Sequence, residues 1–370
     1  MKFLNDQRRL YFLSACLLAL TVLLCLTWQF LRGGNDAAAP AATASPRPQE
    51  AGSPGPEPSA SPQPVSSAEN AAQTVATIVY YQDNSGYIVP VMKQIAPQEG
   101  IARATLSLMV SSPHNDMEAA RLGLRTVLPE GTDIDLDISG GIARVNLSGT
   151  VDTLPDAAAE SNMVSAVVQA LTEFDTVETV RFLINGREVE TLSHGTPVSG
   201  DFTRGMINLE SVSADFPIGD AKPVTLYFAG ETGSLIVPVT RMVYGNADLN
   251  TAVLELLKGP GDTSPLESAL PVGCGLISVD LDGDGKASIN LTDEFMNLID
   301  ATDGGRQALR ALALTCAQFP GVTGVEVLVD GTPYDAAEAT LALPRFVNDA
   351  ESVADQFLQA QARLLFGPDE

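Results

Sequence analysis

Histidine, tryptophan and cysteine are scarce in this chain. His114 and His194 are the two histidines, and Trp28 is the one tryptophan, in 370 residues. Aromatic residues reach only 6%, which leaves little material for platforms that stack sugar rings or bases. Of the four cysteines, Cys16 and Cys25 lie in an N-terminal apolar run, so the foldable part holds Cys274 and Cys316. That is no disulfide framework, and the spacing fits no zinc motif. Two readings of the pair stay open. It forms one bridge in an oxidising compartment, or it supplies two buried thiols that behave as small hydrophobes. Basic residues are the third shortage: 21 Lys and Arg against 46 Asp and Glu, a formal charge of −25. Such a surface repels phosphate backbones and anionic lipid, so nucleic acid is excluded as a partner. The sequence has no Walker loop, H-E-x-x-H, G-x-S-x-G or G-x-G-x-x-G, so the common phosphate-binding, metalloprotease, serine-hydrolase and dinucleotide signatures are missing.

What the chain does have begins at the N-terminus. Residues 1–9 (MKFLNDQRR) precede an apolar run from Leu10 to Leu31. About 22 helical residues at ~1.5 Å rise span a hydrocarbon core of ~30 Å. Lys2, Arg8 and Arg9 stand before the run and only Arg32 follows closely. The positive-inside rule then places the N-terminus in the cytoplasm and the rest outside. The alternative is a lipoprotein. Leu13-Ser14-Ala15-Cys16 resembles a lipobox, but only Leu10 to Leu13 separate Arg9 from its small residues, short of a signal's apolar region of ~7–15 residues. Residues 1–33 are therefore expected to form a cytoplasmic stub and transmembrane anchor. Residues 34–74, rich in Ala, Pro and Ser, cannot bury enough apolar surface to fold. Prolines extend such a linker, which at ~3.1 Å per residue reaches on the order of 100 Å.

The rest of the chain repeats itself. Ile88-Val89-Pro90-Val91 recurs as Ile236-Val237-Pro238-Val239, and Leu128-Pro129-Glu130-Gly131 as Leu270-Pro271-Val272-Gly273. Ala143–Ser148 (ARVNLS) recurs as Ala287–Thr292 (ASINLT), and Phe174–Gly186 (FDTVETVRFLING) as Phe319–Gly331 (FPGVTGVEVLVDG). The order is kept and the offset stays between 142 and 148 residues, a period that means tandem domains and no solenoid.

Each copy reads as ββαββαβ. Thr77–Gln82 and Val224–Phe228 are rich in β-branched and aromatic residues and read as strands. Turn residues follow, then a strand through IVPV whose proline removes a ladder donor and suits an edge or a strand end. Ile101, Ala104, Thr105, Leu108 and Met109 in the first copy have helical spacing, as do Leu249, Val253, Leu254, Leu256 and Leu257 in the second. Ser111-Ser112-Pro113 and Gly259-Pro260 read as the stops. Ile134–Ile138 with Ile142–Leu147, and Leu276–Leu281 with Ala287–Leu291, read as hairpins. A longer helix carries Met163, Val164, Val167, Val168, Ala170 and Leu171, or Leu309, Leu312, Ala313 and Cys316. Val180–Ile184 and Val325–Val329 close the copies. The expected fold class is α+β: two tandem copies of a small mixed β-sheet with two helices on one face. The boundaries expected are 75–195 for the first domain, 196–221 for a connection, 222–337 for the second domain and 338–370 for a C-terminal helical tail. In that tail, Phe346 to Phe366 has near-helical spacing, and the helix packs on the second domain or serves a partner.

These landmarks resemble the GerMN domain family of spore-forming and related bacteria. The resemblance rests on Leu226-Tyr227-Phe228, the IVPV element, the helix ending Leu256–Pro260 (LLKGP), the LPxG turn, ASINLT and FPGVTGVEVLVDG. It covers roughly residues 75–190 and 222–335. The first copy departs at Ser111-Ser112-Pro113, where the family has Gly-Pro. The resemblance implies a membrane-attached sporulation or germination protein whose domains lie outside the membrane and help assemble a complex linking two cells. It brings no catalytic residues.

Asp280–Gly285 (DLDGDG) fills positions 1, 3, 5 and 6 of an EF-hand loop, but position 12 is Leu291 where a bidentate Glu is needed. A hairpin turn is the expectation, because the matching segment Asp135–Gly141 reads as one. No catalytic residue, metal ligand or cofactor is assigned. The expected role is a membrane-anchored, non-enzymatic interaction module. Its partners would be other extracytoplasmic or membrane proteins of a sporulation or envelope complex, with contact to the cell wall open and Val237 and Val239 as the candidate binding edge. The alternatives are a module for cell-wall glycan or calcium, and an extracytoplasmic hydrolase.

Overall fold

The computed structural model describes residues 74–210, 220–231, 233–298, 304–334 and 341–355. The expected anchor and linker, and most of the expected tail helix, lie outside these residues. Among the described residues no helix is long and apolar enough to cross a membrane.

The first copy runs β1 (Val75–Gln82), β2 (Ile88–Ile95), α1 (Ile101–Ser107), α2 (Pro113–Ala120), β3 (Thr132–Ser139), β4 (Ile142–Gly149), α3 (Ala157–Leu171) and β5 (Thr179–Ile184). The second runs β6 (Ala221–Ala229), β7 (Ile236–Tyr244), α4 (Leu249–Leu257), β8 (Leu276–Leu281), β9 (Lys286–Leu291), α5 (Gly304–Ala317) and β10 (Gly324–Val329). Short strands β11 (Thr332–Pro333) and β12 (Leu341–Ala342) both pair with β10.

The strands do not form one sheet per copy. Each copy has an antiparallel hairpin, β1–β2 or β6–β7, and a separate mixed sheet, β3–β4–β5 or β8–β9–β10. In each mixed sheet the first pair is antiparallel and the second parallel. The long helix explains the split. In the second copy α5 packs against both β6 and β10, so the helix stands between hairpin and sheet and both of its faces are used; in the first copy α3 packs against β1 and β2 of the hairpin. Burial agrees: Ala166, Val167, Ala170 and Leu171 of α3, and Ala308, Ala311, Leu312 and Cys316 of α5, are fully buried. Full burial contributes ~1.5–3 kcal/mol for each of the larger side chains among them, Val167, Leu171 and Leu312.

Local chemistry sets the helix limits. Asp156 precedes α3 and accepts from the Ala159 N–H at 2.8 Å, satisfying one of the donors a helix start leaves free. Asp248 does the same for α4 through Thr251 at 2.9 Å. Beyond α4, Gly259 takes a left-handed φ of 79°, the usual glycine stop. In the first copy Ser111-Ser112-Pro113 does more than stop α1. Ser112 caps a further helix, α2, with its hydroxyl on the Asn115 N–H at 3.2 Å and Pro113 at the first helical position. Proline is favoured there because its missing N–H would have had no partner. Asp116 of α2 then accepts from the hydroxyls of Ser111 and Thr126 at 2.8 and 2.7 Å. Helix α2 has no counterpart in the second copy, and it places His114 in a helix instead of the loop that the serines and proline suggest.

The repeated asparagine of ARVNLS and ASINLT has one job in both copies. The chain leaves β5 through Asn185-Gly186 and β10 through Asp330-Gly331, all four residues at positive φ. That is the geometry of a type I′ hairpin turn. The Asn146 side-chain oxygen accepts from the Gly186 N–H at 2.8 Å, and that of Asn290 from the Gly331 N–H at 2.9 Å.

Candidate functional site

The two copies meet through the IVPV strands. The outer edge of β2 would expose backbone groups, and so would that of β7. One asparagine closes each. The Asn208 side chain accepts from the Ile88 N–H at 2.8 Å and donates to the carbonyls of Ile88 at 2.8 Å and Pro238 at 2.7 Å. The Asn348 side chain accepts from the Ile236 N–H at 2.8 Å and donates to the carbonyls of Ile236 at 2.8 Å and Pro90 at 2.9 Å. Each amide therefore holds the isoleucine of one copy and the proline carbonyl of the other. The strands pass antiparallel about Val89 and Val237, both fully buried. The prolines now have a physical reason. Ile88 and Pro90 share the outward edge of β2, so an N–H at position 90 would point into the junction, where a buried donor without a partner is costly. Proline has no such donor.

This geometry corrects the candidate binding edge. Val237 and Val239 are 0% and 1% exposed, and the β7 edge is occupied from within the chain. It also corrects the connection and the tail. Residues 196–210 are packed structure: Phe202 bridges Val180 of β5, and Leu209 bridges Thr240 of β7. The tail is not helical from Phe346. Asp349 bridges Met92 of β2 in extended form, and the helix starts at Ala350, its first turn held by the Asp349 carboxylate on the Ser352 N–H at 3.0 Å. Val353 and Ala354 are buried, so the described turn packs on the fold.

Beside the clamps a cleft of about 310 Å³ opens between the hairpins. Tyr80 donates to Glu173, just past the end of α3, at 2.5 Å, and Arg204 donates to Glu173 at 2.6 Å and to the Tyr80 oxygen at 3.2 Å. Burial and then the Glu173 charge push the Tyr80 phenol well above its ordinary range. Across the cleft stands Tyr227, raised to about 12 chiefly by burial. Both phenols are protonated donors at neutral pH. On the far side of β7, Arg241 forks onto both oxygens of Glu210 at 2.6 and 2.8 Å and reaches Glu255 at 3.2 Å. A two-pronged pair of this kind ties the segment after the first copy to the second.

The remaining sequence candidates sit apart from this junction. Asp280–Gly285 makes the β8–β9 turn: the Asp282 carboxylate accepts from the N–H groups of Asp284 and Lys286, each at 2.9 Å. Cys274 and Cys316 are free buried thiols, pushed by burial up to about 11 and about 12. His194 places Nε2 2.8 Å from the Leu154 carbonyl, and its backbone N–H donates to Glu160 at 2.7 Å. His114 is an exposed residue in the first turn of α2. The structure brings the two histidines and two thiols into no common site.

The family model described as "Germane: Sporulation and spore germination" matches residues 78–190 and 225–335. The chain belongs to this family. Its Germane domains are the two copies, and Asn208 and Asn348 both fall outside the matched segments. The chain is 28% identical over 275 residues to the spore germination protein GerM of Bacillus subtilis, covering 72% of this chain and 74% of that protein. The solved tandem GerMN domains of the B. subtilis sporulation protein GerM superpose with a TM-score of 0.63 at 27% identity, covering 75% of this chain and 99% of that one. The Germane chain thus shares the paired-domain plan as well as the single domain, and the homology supports a sporulation-related role.

Proposed function

We propose that the chain is a membrane-anchored, extracytoplasmic interaction module that helps assemble an envelope complex during sporulation or germination, and that it binds rather than catalyses. Likeness to GerM across both copies supports the process. The apolar run at Leu10–Leu31 supports the anchor. One structural observation carries the binding role. The clamps occupy β2 and β7, and β1, β6 and β5 are bridged by Arg125, Glu267 and Phe202, which leaves β3 and β8 as the long edge strands with no outer bridge among the described residues. Strand β3 exposes Asp133, Asp135 and Asp137, charges of the kind that protect an edge from further pairing. Strand β8 exposes Ile277 at 50% and Leu281 at 47%, with only Asp280 charged. An edge of that composition suits strand addition by a partner protein, with backbone hydrogen bonds for affinity and side chains for selection.

The test is cross-linked capture of the tagged full-length protein from sporulating and vegetative cells, beside an Ile277→Lys, Leu281→Lys variant. Membrane proteins recovered only from sporulating cells, and lost with the variant while its thermal midpoint holds, are the expected result. Equal recovery from both cell states, or recovery unaffected by the variant, refutes the reading.

A further inference from the structure

The cleft between the hairpins is built by both copies and by both segments that follow them, and the junction leaves part of its polar lining unused. We propose that this cleft binds a carboxylate-bearing ligand with a small apolar body. Three polar groups in its lining are available to a ligand. Tyr227 lines the cleft half-buried, and its hydroxyl has no hydrogen-bond partner among the described residues. Arg345 lies over the Phe346 ring, 5.1 Å from its centroid, and has no carboxylate partner among the described residues. Arg204, held in place by Glu173, completes the set.

The charge inside the cleft is the reverse of the charge outside. Arg204, Arg345 and one carboxylate, Glu173, are the charged residues of the lining, in a chain whose formal charge is −25. A local cationic excess in an acidic protein draws an anion to that point. The guanidinium fork and the phenol suit a carboxylate, which accepts two parallel N–H bonds and one further O–H bond. The cleft walls are Pro90, Pro238, Met92 and Phe346, so the rest of the ligand meets apolar surface. The volume of about 310 Å³ is at the small end of ligand pockets, which limits the apolar body to about one ring or a short side chain.

The probe is benzoate, with benzamide as its uncharged match, titrated into the full-length chain in detergent and followed by NMR shifts and by calorimetry. Benzoate is expected to saturate at millimolar concentration or below, with benzamide at least ~10-fold weaker. Tyr227→Phe and Arg345→Gln should each weaken benzoate ~10-fold. Neither should move the thermal midpoint, since neither group holds another residue through a hydrogen bond or ion pair. Lys258→Gln, an exposed cation outside the cleft, should leave binding unchanged. No saturation by ~20 mM, equal binding of benzamide, or variants that bind like the parent would each overturn the assignment.

Discussion

Replacing Asn348 tests the junction most directly. Its amide makes three hydrogen bonds to backbone groups of both copies, and the residue is 4% exposed. Asn348→Ala removes all three and leaves the Ile236 N–H and two carbonyls without these partners. A buried group that loses its partner costs ~1–3 kcal/mol, less where water enters. Truncation here opens a small hole that water can use, so the lower end applies and the total is about 3 kcal/mol. For a unit of this size that is roughly 6–10 °C in thermal midpoint. Asn348→Asp sharpens the test, because shape is kept and chemistry reversed. A carboxylate still accepts from Ile236 but cannot donate to the carbonyls of Ile236 and Pro90. It would face both oxygens while losing its hydration. Asp must therefore cost more than Ala at pH 7, and the gap must narrow as pH falls and the carboxyl regains a proton to donate. Denaturant unfolding of residues 74–370, followed by circular dichroism at pH 7 and pH 4.5, reads both effects. A loss below about 0.5 kcal/mol for Asn348→Ala, or an Asp variant as stable as the Ala variant at pH 7, would refute the clamp as a source of stability.

Three more expectations concern other parts of the fold. Gly285→Ala should cost about 2–3 kcal/mol, because φ is +86° and a Cβ would lie 2.4 Å from the Gly321 carbonyl oxygen; chemical denaturation measures it. Burial raises the Glu160 carboxyl, but the N–H groups of His194 and Thr196 outweigh it and the net shift is downward. Its stabilisation is therefore present above the unfolded carboxylate range and lost as pH falls through the lower folded value, so Glu160→Gln should flatten the acid limb of the stability curve below about pH 4. Cys274 and Cys316, buried and raised, should resist a thiol reagent at pH 8 in the native protein and react on unfolding; rapid native labelling of either would contradict their burial.

The ladder of elements was legible because each copy checks the other. Strand β8 falls on Leu276–Leu281 as its alternation predicts, the other strands with expected bounds differ by one to three residues at an end, and the IVPV strands run on to Ile95 and Tyr244. The proline of IVPV does mark an edge. What the pattern could not show is that the two edges would be turned toward each other. Their closure depends on Asn208 and Asn348, and these share with each other only an aliphatic residue before them, Ile207 or Val347. So short a match is lost among polar residues, and both positions lie where composition suggests a linker and a tail. The split of the strands into hairpin and sheet was hidden for another reason: both arrangements bury the same alternating residues, and only the helix between them decides. The serines and proline after α1 have the power to stop a helix, yet the same residues in the same order start one. The cleft is a product of the junction and has no signature in either copy alone.

The two clamps are related as the halves of a handshake: each copy offers an isoleucine edge and a proline carbonyl, and each following segment supplies one amide. A contact in which surface i meets j and j meets i is the form taken by two-fold dimers. Here both halves are on one chain. A free dimer with these contacts would dissociate on dilution, whereas joining the halves makes the second encounter intramolecular, at an effective concentration set by the linker. The pair is then present in fixed one-to-one proportion however few molecules there are, and its halves are free to diverge, one keeping an aspartate-lined border and the other an apolar one.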